Sequence, residues 1–368
     1  MSEKIRVLVV DDSALMRKLI PQVLQRDASI EVVGTAMDGA IGLKKITELH
    51  PHVVTLDLDM PRMDGIEMLR QITRRHRVPV IVFSAQTERG ASITLKALAL
   101  GAFDFVTKPP DAASGRIEQI AAELALKIKV AASSGAPKMI ITMPASKRKE
   151  RRRTSMPHWP SSIVAIGIST GGPNALQYLF SQLPEDFPGC ILVVQHMPEG
   201  FTEMFAHRLD ESSAIEVKEA QSGDLLLAGR ALICPGNRHM KVRKMEHGNV
   251  AILVDQPRVN GHRPSVDVLF QSVAQEFGPS SIGVLMTGMG DDGAAGLGAI
   301  QSAGGITIAQ SPDTCVVDSM PRAAIEAGYA GRIVPLEGLP GVFQFLCQED
   351  GSKPRALSPE LETLRGER

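Results

Sequence analysis

Short apolar runs alternate with amphipathic stretches along the first third of the chain. The runs at residues 5–10, 31–36, 53–56, 80–83 and 103–107 are rich in β-branched and aromatic residues and predict five strands, and residues 14–25 and 38–49 predict helices between them. Alternating strands and helices of this length are typical of a parallel sheet with helices on both faces. We therefore predict an α/β domain over residues 1–130.

The same alternation returns after residue 160. Apolar runs at 163–168, 190–195, 231–234, 250–254, 281–286 and 306–309 predict strands, and residues 266–277 predict an amphipathic helix. The close spacing of the runs between 231 and 254 also leaves room for antiparallel strands or a hairpin. We predict a second doubly wound α/β domain over residues 161–348, with a mostly parallel sheet.

Regular patterning stops between the two domains, over residues 131–160. This segment contains a Ser-Ser-Gly-Ala-Pro stretch and the basic run KRKERRR at 147–153. Like charges repel, so we predict a basic and partly flexible linker. No aromatic residues interleave with these charges and no recognition-helix pattern follows, which argues against a nucleic-acid interface. The polar residues 349–368 are predicted to form a tail.

Composition narrows the class of protein. A chain of 368 residues with 43% hydrophobic and 22% charged residues is ordinary for a globular protein of two or three domains. A net charge of -1 gives no overall attraction to nucleic acid or membrane. We see no signal-peptide pattern and no apolar run of membrane-spanning length, so we expect a cytoplasmic protein without membrane insertion. The four scattered cysteines predict neither a zinc site nor a disulfide framework.

Polar residues of the first domain lie at the C-terminal ends of its predicted strands. They are Asp11, Asp12, Asp57, Ser84 and Lys108. Open α/β sheets bind their ligands at this edge. Converging carboxylates repel one another unless a divalent cation neutralises them, and oxygen ligands favour Mg²⁺. The hydroxyl and the ammonium group suit a phosphoryl group.

In the second domain, the apolar run 163–168 stops abruptly at Ser169-Thr170-Gly171-Gly172, and a helical pattern follows. A strand, a tight turn and a helix start would lift the Ser169 hydroxyl off the sheet edge, with outward-pointing amides behind it. A loop that binds phosphate, or a simple helix cap, stays open as an alternative. Neither Gly-x-Gly-x-x-Gly nor a P-loop lysine pattern is present at that strand, which counts against nucleotide binding.

Two other strand ends carry His196 and the neighbouring pair Asp291 and Asp292. Parallel strands bring their C-terminal ends to one edge, so Ser169, His196 and one aspartate can meet. A neutral histidine then takes the serine proton, and the carboxylate orients the imidazolium. The spacing does not separate Asp291 from Asp292.

The order Ser, His, Asp differs from the Ser, Asp, His order of α/β-hydrolases. An α/β-hydrolase site would need a different histidine, and the candidates are His207, His239, His247 and His262. Of these, only His262 follows an attractive acid, Asp255.

The first domain resembles the response-regulator receiver domain, with its flavodoxin-like fold and five-stranded parallel sheet. The resemblance covers residues 4–130 and includes the loop DLDMPRMDG at 57–65. It implies phosphorylation at Asp57, with Mg²⁺ held by Asp11, Asp12, Asp57 and the backbone carbonyl of Asp59. It also implies that Ser84 and Lys108 contact the phosphoryl oxygens. The family often has Glu where Asp59 stands, a minor change for a backbone ligand.

The motifs STGGP at 169–173, QHMP at 195–198 and TGMGDDG at 287–293 resemble the catalytic domain of the chemotaxis protein-glutamate methylesterase family. A receiver placed ahead of this domain is the domain order of that family. The resemblance implies Ser169 as nucleophile, His196 as base and Asp292 rather than Asp291 as the orienting acid. The amides of Thr170 and Met289 would form the oxyanion hole, and the catalytic domain would need no cofactor.

The implied function is a phosphorylation-regulated serine hydrolase in chemotaxis adaptation. It would remove methyl groups from glutamate methyl esters on methyl-accepting chemotaxis receptors and deamidate certain receptor glutamines. A chemotaxis histidine kinase would be the phosphodonor. The receiver is expected to restrict access to the active site, with the helix over 92–100 and the strand ending at Thr107 as the moving face.

Two other functions stay open as alternatives. One is a response regulator whose second domain binds a nucleotide or phosphate at residues 169–172. The other is a response regulator that binds DNA through the basic linker.

Overall fold

The computed structural model describes residues 3–60, 63–85, 87–108, 116–134 and 158–348. Most of the predicted linker and all of the predicted tail lie outside these residues. Within the described ranges, no helix is long and apolar enough to cross a lipid bilayer. The limits of the two domains, the linker and the tail stay predictions.

The first half of the chain folds as predicted, into one parallel five-stranded sheet with the strand order β2-β1-β3-β4-β5. Its elements are β1 (Ile5–Val10), α1 (Ala14–Leu24), β2 (Ile30–Ala36), α2 (Gly39–Leu49), β3 (Val53–Asp57), α3 (Gly65–Arg75), β4 (Val80–Ser84), α4 (Glu88–Ala99), β5 (Asp104–Thr107) and α5 (Arg116–Ser134). The helix α5 continues four residues beyond the predicted domain end at residue 130.

Helices of the first domain begin at residues whose side chains cap them. Ser13 and Asp38 accept hydrogen bonds from the first-turn amides of α1 and α2, and Asp64 and Thr87 do the same for α3 and α4. Such caps satisfy amides that have no partner inside the helix. Every helix from α1 to α4 therefore starts close to the carboxyl edge of the sheet, where the predicted site lies.

The second half contains a seven-stranded sheet with the order β14-β13-β12-β6-β7-β9-β8. Its elements are β6 (Ile163–Ile168), α6 (Gly172–Ser181), β7 (Cys190–Gln195), α7 (Phe201–Ser212), β8 (Glu216–Glu219), β9 (Arg230–Ile233), β10 (His239–Arg243), β11 (Val250–Val254), α8 (Val266–Phe277), β12 (Ser281–Leu285), α9 (Ala294–Ser302), β13 (Ile306–Gln310), α10 (Ser319–Glu326), β14 (Arg332–Val334) and α11 (Leu339–Cys347). All pairs in the large sheet are parallel, and β10 and β11 form a separate antiparallel hairpin.

The central strands β6 and β7 are buried along their whole length. Their sequences, IVAIGI and CILVVQ, are nearly continuous apolar runs because helices cover both faces of a parallel sheet. The hairpin foreseen between residues 231 and 254 is present. The short edge strands β8 and β14 had no clear apolar pattern, since both are partly exposed. All four cysteines are free thiols.

The two halves pack against each other through α4 and β5. Asn174 on α6 donates a hydrogen bond to the carbonyl of Leu98 at 2.9 Å. Phe105 on β5 stacks on Phe201 of α7, with ring centroids 5.1 Å apart. This contact involves the face that the sequence analysis expected to move, although α4 begins at Glu88 rather than Ser92.

Candidate functional site

A buried acidic pocket lies at the carboxyl edge of the first sheet. Asp11 follows β1 and Asp57 ends β3, and both side chains are almost fully buried. Asp12 is exposed beside them, and each of the three residues places a carboxylate oxygen within 4.8 Å of the others. The structure thus brings together the three acids singled out in the sequence.

Lys108 faces this pocket. Its Nζ lies 2.6 Å from Oδ2 of Asp57 and 3.2 Å from Oδ2 of Asp11. Burial raises the pKa of both carboxyls above the usual value, and Lys108 only partly opposes that effect. Burial alone would lower the pKa of Lys108, but the two carboxylates raise it. When both buried carboxyls are ionised, the single positive charge of Lys108 leaves an excess of negative charge in the pocket. A divalent cation would neutralise that excess.

The donor set of the pocket fits Mg²⁺. Its side chains offer carboxylate oxygens, and Oδ2 of Asp11 is buried without a well-formed hydrogen bond in the described part of the chain. Asp59 follows closely, and its N–H donates to Oδ1 of Asp57 at 3.2 Å. The exposed side chain of Asp59 instead faces Arg89, with an N–O distance of 3.5 Å. A ligand role for Asp59 is therefore compatible with its backbone only.

Ser84 is the last residue of β4, the strand that pairs with β3 and therefore with Asp57. In the β3–β4 pairing Asp57 lies opposite Phe83, so the Ser84 side chain follows at the same edge. Its Oγ accepts a hydrogen bond from Oγ1 of Thr94 at 2.6 Å. The backbone N–H of Lys108 donates to the Ser84 carbonyl at 2.7 Å. Lys108 thus contacts Asp57, and Ser84 follows the residue paired with Asp57; their contacts with a phosphoryl group stay a prediction.

In the second domain, Ser169 lies in the turn between β6 and α6. Gly171 caps α6 with a left-handed φ of 80°, a conformation that favours glycine. A Cβ at Gly171 would also lie 2.6 Å from Cβ of Val316. The turn lies at the sheet edge and Ser169 is partly exposed, so its hydroxyl is placed for contact with a substrate.

His196 is the neighbour of Ser169 on the adjacent strand. Ile168 and Gln195 are paired across β6 and β7, and Ser169 and His196 directly follow them. The His196 N–H donates to the carbonyl of Ile168 at 3.1 Å. Neighbouring positions on two adjacent strands therefore carry a serine and a histidine at the carboxyl edge of the sheet.

The imidazole of His196 uses one ring nitrogen to contact Asp292. Its Nε2 lies 2.9 Å from Oδ2 of Asp292. The other nitrogen, Nδ1, is buried and has no hydrogen-bond partner among the described residues. Nδ1 is therefore the ring nitrogen left free to accept a proton.

The Asp292 carboxylate is held by several donors. Besides His196 they are Asn260 Nδ2 at 2.9 Å, Ser265 Oγ at 2.8 Å and the backbone N–H of Val266 at 2.7 Å. Burial alone would raise the pKa of Asp292. The bond and charge of His196, together with the donors Val266 and Ser265, lower that pKa to about 2. Asp292 is therefore ionised at neutral pH and fixed in orientation.

The structure separates Asp292 from its alternatives. Asp291 is exposed, and its carbonyl accepts the N–H of Ala294. Asp255 pairs with Arg238 at 3.0 Å and not with a histidine. The α/β-hydrolase alternative thus finds no acid–base pair at His262, whose ring instead stacks on His196.

The other three candidate histidines make no contact with Ser169 among the described residues. His239 is buried and binds the Pro257 carbonyl and the Ser265 N–H. His207 and His247 are exposed on the surface.

Two backbone amides near Ser169 have no acceptor in the described part of the chain. They belong to Thr170 and Met289, the residues expected to form an oxyanion hole. The loop after β12 packs tightly here, since a Cβ on Gly288 would lie 2.8 Å from Cβ of Ser169. Thr170 directly follows Ser169 and Met289 directly follows Gly288, so both amides belong to the loops that border Ser169.

Sequence reasoning missed three residues that support the site. Gln195 is buried and donates to the Ser169 carbonyl at 2.9 Å. Asn260 and Ser265 bind Asp292 from a loop far away in the sequence. The Asn260-Gly261 dipeptide is a strong turn signal and could have marked this loop, but no local pattern shows which residues the loop contacts.

The first domain also reaches this site. Thr170 Oγ1 donates a hydrogen bond to Oδ2 of Asp104 on β5 at 2.6 Å. Lys127 on α5 lies 3.3 Å from the same carboxylate oxygen and 2.9 Å from Glu123. Burial alone would lower the pKa of Lys127, but Asp104 and Glu123 raise it. A charged network of the first domain therefore ends on a residue next to Ser169.

Comparison with known proteins gives matches over both halves. Residues 164–343 match the family described as CheB methylesterase, and residues 7–118 match the response regulator receiver domain. A protein-glutamate methylesterase/protein-glutamine glutaminase 2 of Koribacter versatilis is 61% identical over 344 residues, covering 92% of this chain and 95% of that protein. The Pyrococcus horikoshii protein-glutamate methylesterase/protein-glutamine glutaminase is 45% identical over 343 residues, covering 92% and 93%.

A solved structure resembles the second half. The crystal structure of the Thermotoga maritima CheB methylesterase catalytic domain is 39% identical, with a TM-score of 0.50, and covers 50% of this chain and 98% of that domain. Sequence similarity thus points to the two modules that the strand-end residues indicated, and the solved structure supports the second of them.

Proposed function

This chain belongs to the CheB methylesterase family and carries a response regulator receiver domain ahead of the methylesterase domain, and from this premise we propose that Ser169, His196 and Asp292 perform its hydrolysis. The protein is a phosphorylation-regulated chemotaxis methylesterase. The residue assignment is carried by His196, whose Nδ1 has no hydrogen-bond partner among the described residues and whose Nε2 is bound to the ionised Asp292. His196 and Ser169 follow directly on the paired ends of β7 and β6.

The first half-reaction forms an acyl-enzyme. Ser169 Oγ attacks the carbonyl carbon of a glutamate methyl ester on a receptor, while Nδ1 of His196 takes the serine proton. Asp292 stabilises the resulting imidazolium through Nε2. The amides of Thr170 and Met289 donate to the oxyanion of the tetrahedral intermediate. Collapse of this intermediate breaks the bond to the methoxy group, which leaves as methanol with the proton from His196.

The second half-reaction restores the enzyme. Water attacks the ester between the substrate and Ser169, and His196 takes the water proton. Collapse returns that proton to Ser169 Oγ and releases a glutamate carboxylate. A glutamine side chain enters the same path, with ammonia rather than methanol as the first leaving group. The same residues therefore account for both activities named for the relatives.

We propose Asp57 as the phospho-acceptor of the receiver. Asp11, Asp12 and Asp57, with the backbone carbonyl of Asp59, would hold Mg²⁺, which would neutralise the carboxylates and the incoming phosphoryl oxygens. Lys108 and Ser84 would then contact the phosphoryl group. The support is the convergence of the three carboxylates and the contact of Lys108 with Asp57.

The phosphodonor is a kinase and the substrates are receptors. We propose specifically a chemotaxis histidine kinase and methyl-accepting receptors in the cytoplasm. We further propose that the unphosphorylated receiver restricts access to Ser169. The packing of α4 against the catalytic domain and the bond from Thr170 to Asp104 support this arrangement.

One assay tests the function directly. Methanol release from a methylated receptor fragment is measured with and without acetyl phosphate, and a fluorophosphonate probe is used to label the nucleophile. We expect methanol release that rises with acetyl phosphate, and labelling at Ser169 only. Labelling elsewhere, or no methanol release under either condition, would contradict the proposal. The basic run at 147–153, on which the DNA-binding alternative depends, lies outside the described residues.

A further inference from the structure

A tight turn at residues 259–262 lies against the acid and the base of the site. Val259 and His262 pair through backbone hydrogen bonds of 3.0 and 2.9 Å. Asn260 and Gly261 between them have φ values of 52° and 78°. Two consecutive left-handed residues in an Asn-Gly sequence are typical of the two-residue hairpin turn. The local sequence therefore fixes the shape of this turn.

The turn contacts Asp292 through its Asn260 side chain. Asn260 Nδ2 lies 2.9 Å from Oδ1 of Asp292 and 2.7 Å from Oδ2 of Asp267. Asp267 is itself buried and accepts the N–H of Gly296 at 2.6 Å. The turn is thus anchored to α8 and to the loop of Asp292 by one amide group.

The same turn contacts His196 through the ring of His262. The two imidazole rings are parallel, with an interplanar angle of 0° and centroids 3.9 Å apart. This contact uses the ring face, so the bond from Nε2 to Asp292 and the unpartnered Nδ1 are both unaffected by it. A single hydrogen bond at Nε2 does not fix the ring against rotation about that bond. The stacked ring supplies the missing constraint.

We infer that His262 is a positioning residue for the hydrolysis, holding the plane of the His196 imidazole so that Nδ1 faces Ser169. This inference rests on the proposed function of Ser169 and His196. His262 itself needs no contact with the substrate in this role. Its contribution is orientation, and a misplacement on the order of 1 Å at a catalytic group can lower the rate a hundredfold.

The charges around His262 agree with this role. The groups that act on it are His196, Asp292, Asp291 and Arg258. Burial, followed by the charge of His196, lowers the pKa of His262 to about 4. His262 is therefore neutral above about pH 5. A neutral ring does not repel the imidazolium that forms on His196 during each half-reaction.

The test compares substitutions that remove or keep a flat ring. In the full-length protein with acetyl phosphate, His262→Ala and His262→Leu should lower kcat roughly 10- to 100-fold with KM little changed, because orientation and not binding is lost. His262→Phe should restore most of kcat, since phenylalanine keeps a planar ring without a titratable nitrogen. The rate of fluorophosphonate labelling at Ser169 should change in the same order. His207→Ala and His207→Phe on exposed α7 are the matched controls and should behave like the unmodified protein.

Two results would overturn the inference. Unchanged kcat in His262→Ala or His262→Leu would show that the stack is not needed. A His262→Phe variant as slow as His262→Leu would show that a ring nitrogen matters, as expected for a group that binds substrate. The leucine variant fills the space of the ring, so the comparison remains valid if the alanine variant does not fold. If the unmodified protein releases no methanol, or Ser169→Ala still does, the proposed function fails instead.

Discussion

The hydroxyl of Thr170 donates a hydrogen bond to the carboxylate of Asp104, across the contact between the two domains, at 2.6 Å. Thr170 is the residue after the proposed nucleophile, and its amide belongs to the proposed oxyanion hole. Asp104 begins β5, and the same strand leads to Lys108 beside the proposed phospho-acceptor, Asp57. This one bond therefore joins the first residue of β5 in the receiver to the residue next to Ser169.

Replacing the carboxylate should weaken this contact. Asp104→Asn keeps the shape of the side chain and removes the charge that Thr170 and Lys127 share. Hydrogen bonds to charged groups contribute about 1.5–3 kcal/mol. We therefore expect methanol release without acetyl phosphate to rise roughly tenfold, towards the rate of the phosphorylated protein. With acetyl phosphate, the variant and the unmodified protein should have similar rates. A variant with an unchanged unphosphorylated rate would rule out this bond as part of the inhibition.

Removing the nucleophile should abolish activity without affecting the fold. Ser169→Ala deletes one hydroxyl at a partly exposed turn, so the midpoint of thermal unfolding should stay close to that of the unmodified protein. Methanol release should fall roughly a thousandfold or more, and His196→Ala should lose about as much, because residues that act as a unit are non-additive. The double variant should be no slower than either single one. Near-normal methanol release by Ser169→Ala would end the serine mechanism.

The adjacent aspartates provide a matched pair. Asp292→Asn removes the ionised partner of His196 and should lower kcat roughly a hundredfold or more. Asp291→Asn changes an exposed side chain and should have little effect. Because the pKa of Asp292 is about 2, below its usual value, the carboxylate stays ionised above about pH 3. The pH profile of kcat should therefore show no inflection from Asp292 between about pH 4 and 8, and Asp291→Asn should leave that profile unchanged. A slow Asp291→Asn variant would reverse the assignment.

Phosphorylation should require Asp57 and a divalent cation. Incorporation of phosphate from acetyl phosphate should disappear in Asp57→Asn and on addition of a chelator, and should return with Mg²⁺. Asp59→Asn is the control, since its exposed side chain faces Arg89 and only its backbone is proposed as a ligand. The control should retain labelling. Labelling that survives in Asp57→Asn would place the acceptor at another residue, with Asp11 and Asp12 next in line.

Much of the architecture follows from apolar runs and from the residues at their ends. Strands such as β6 and β7 are buried along their whole length, so their sequences are almost purely apolar. The rule that parallel strands end at one edge then places Asp57 with Lys108, and Ser169 with His196. The sequence alone therefore predicts both candidate sites.

Contacts between loops that are distant in the sequence could not be predicted from the sequence. Nothing local to residues 259–262 shows that the turn lies on the His196–Asp292 pair, because tertiary packing decides that. Asp291 and Asp292 are adjacent, and only the direction of each side chain separates them. Likewise, the bond between Thr170 and Asp104 depends on how two domains dock. The sequence predicted the two sites, while the structure adds the residues that support and connect them.

Separating the domains should remove the inhibition altogether. A truncation that begins at Ser155 keeps the His158 carbonyl, which accepts the N–H of Ala228. A crystal structure exists of the corresponding catalytic domain from Thermotoga maritima. In the full chain, the tether gives the receiver an effective concentration on the order of mM, so even a weak docking surface is largely occupied. Without it, Thr170 loses its bond to Asp104 and α6 loses its contact with Leu98. The truncated protein should release methanol faster than the unphosphorylated full-length protein, and acetyl phosphate should not change its rate.

The full-length protein with Asp57→Asn is the control and should stay slow under both conditions. A truncated protein that is folded but no faster than the unphosphorylated parent would show that the receiver does not inhibit, and would point to activation or receptor recruitment by the receiver instead.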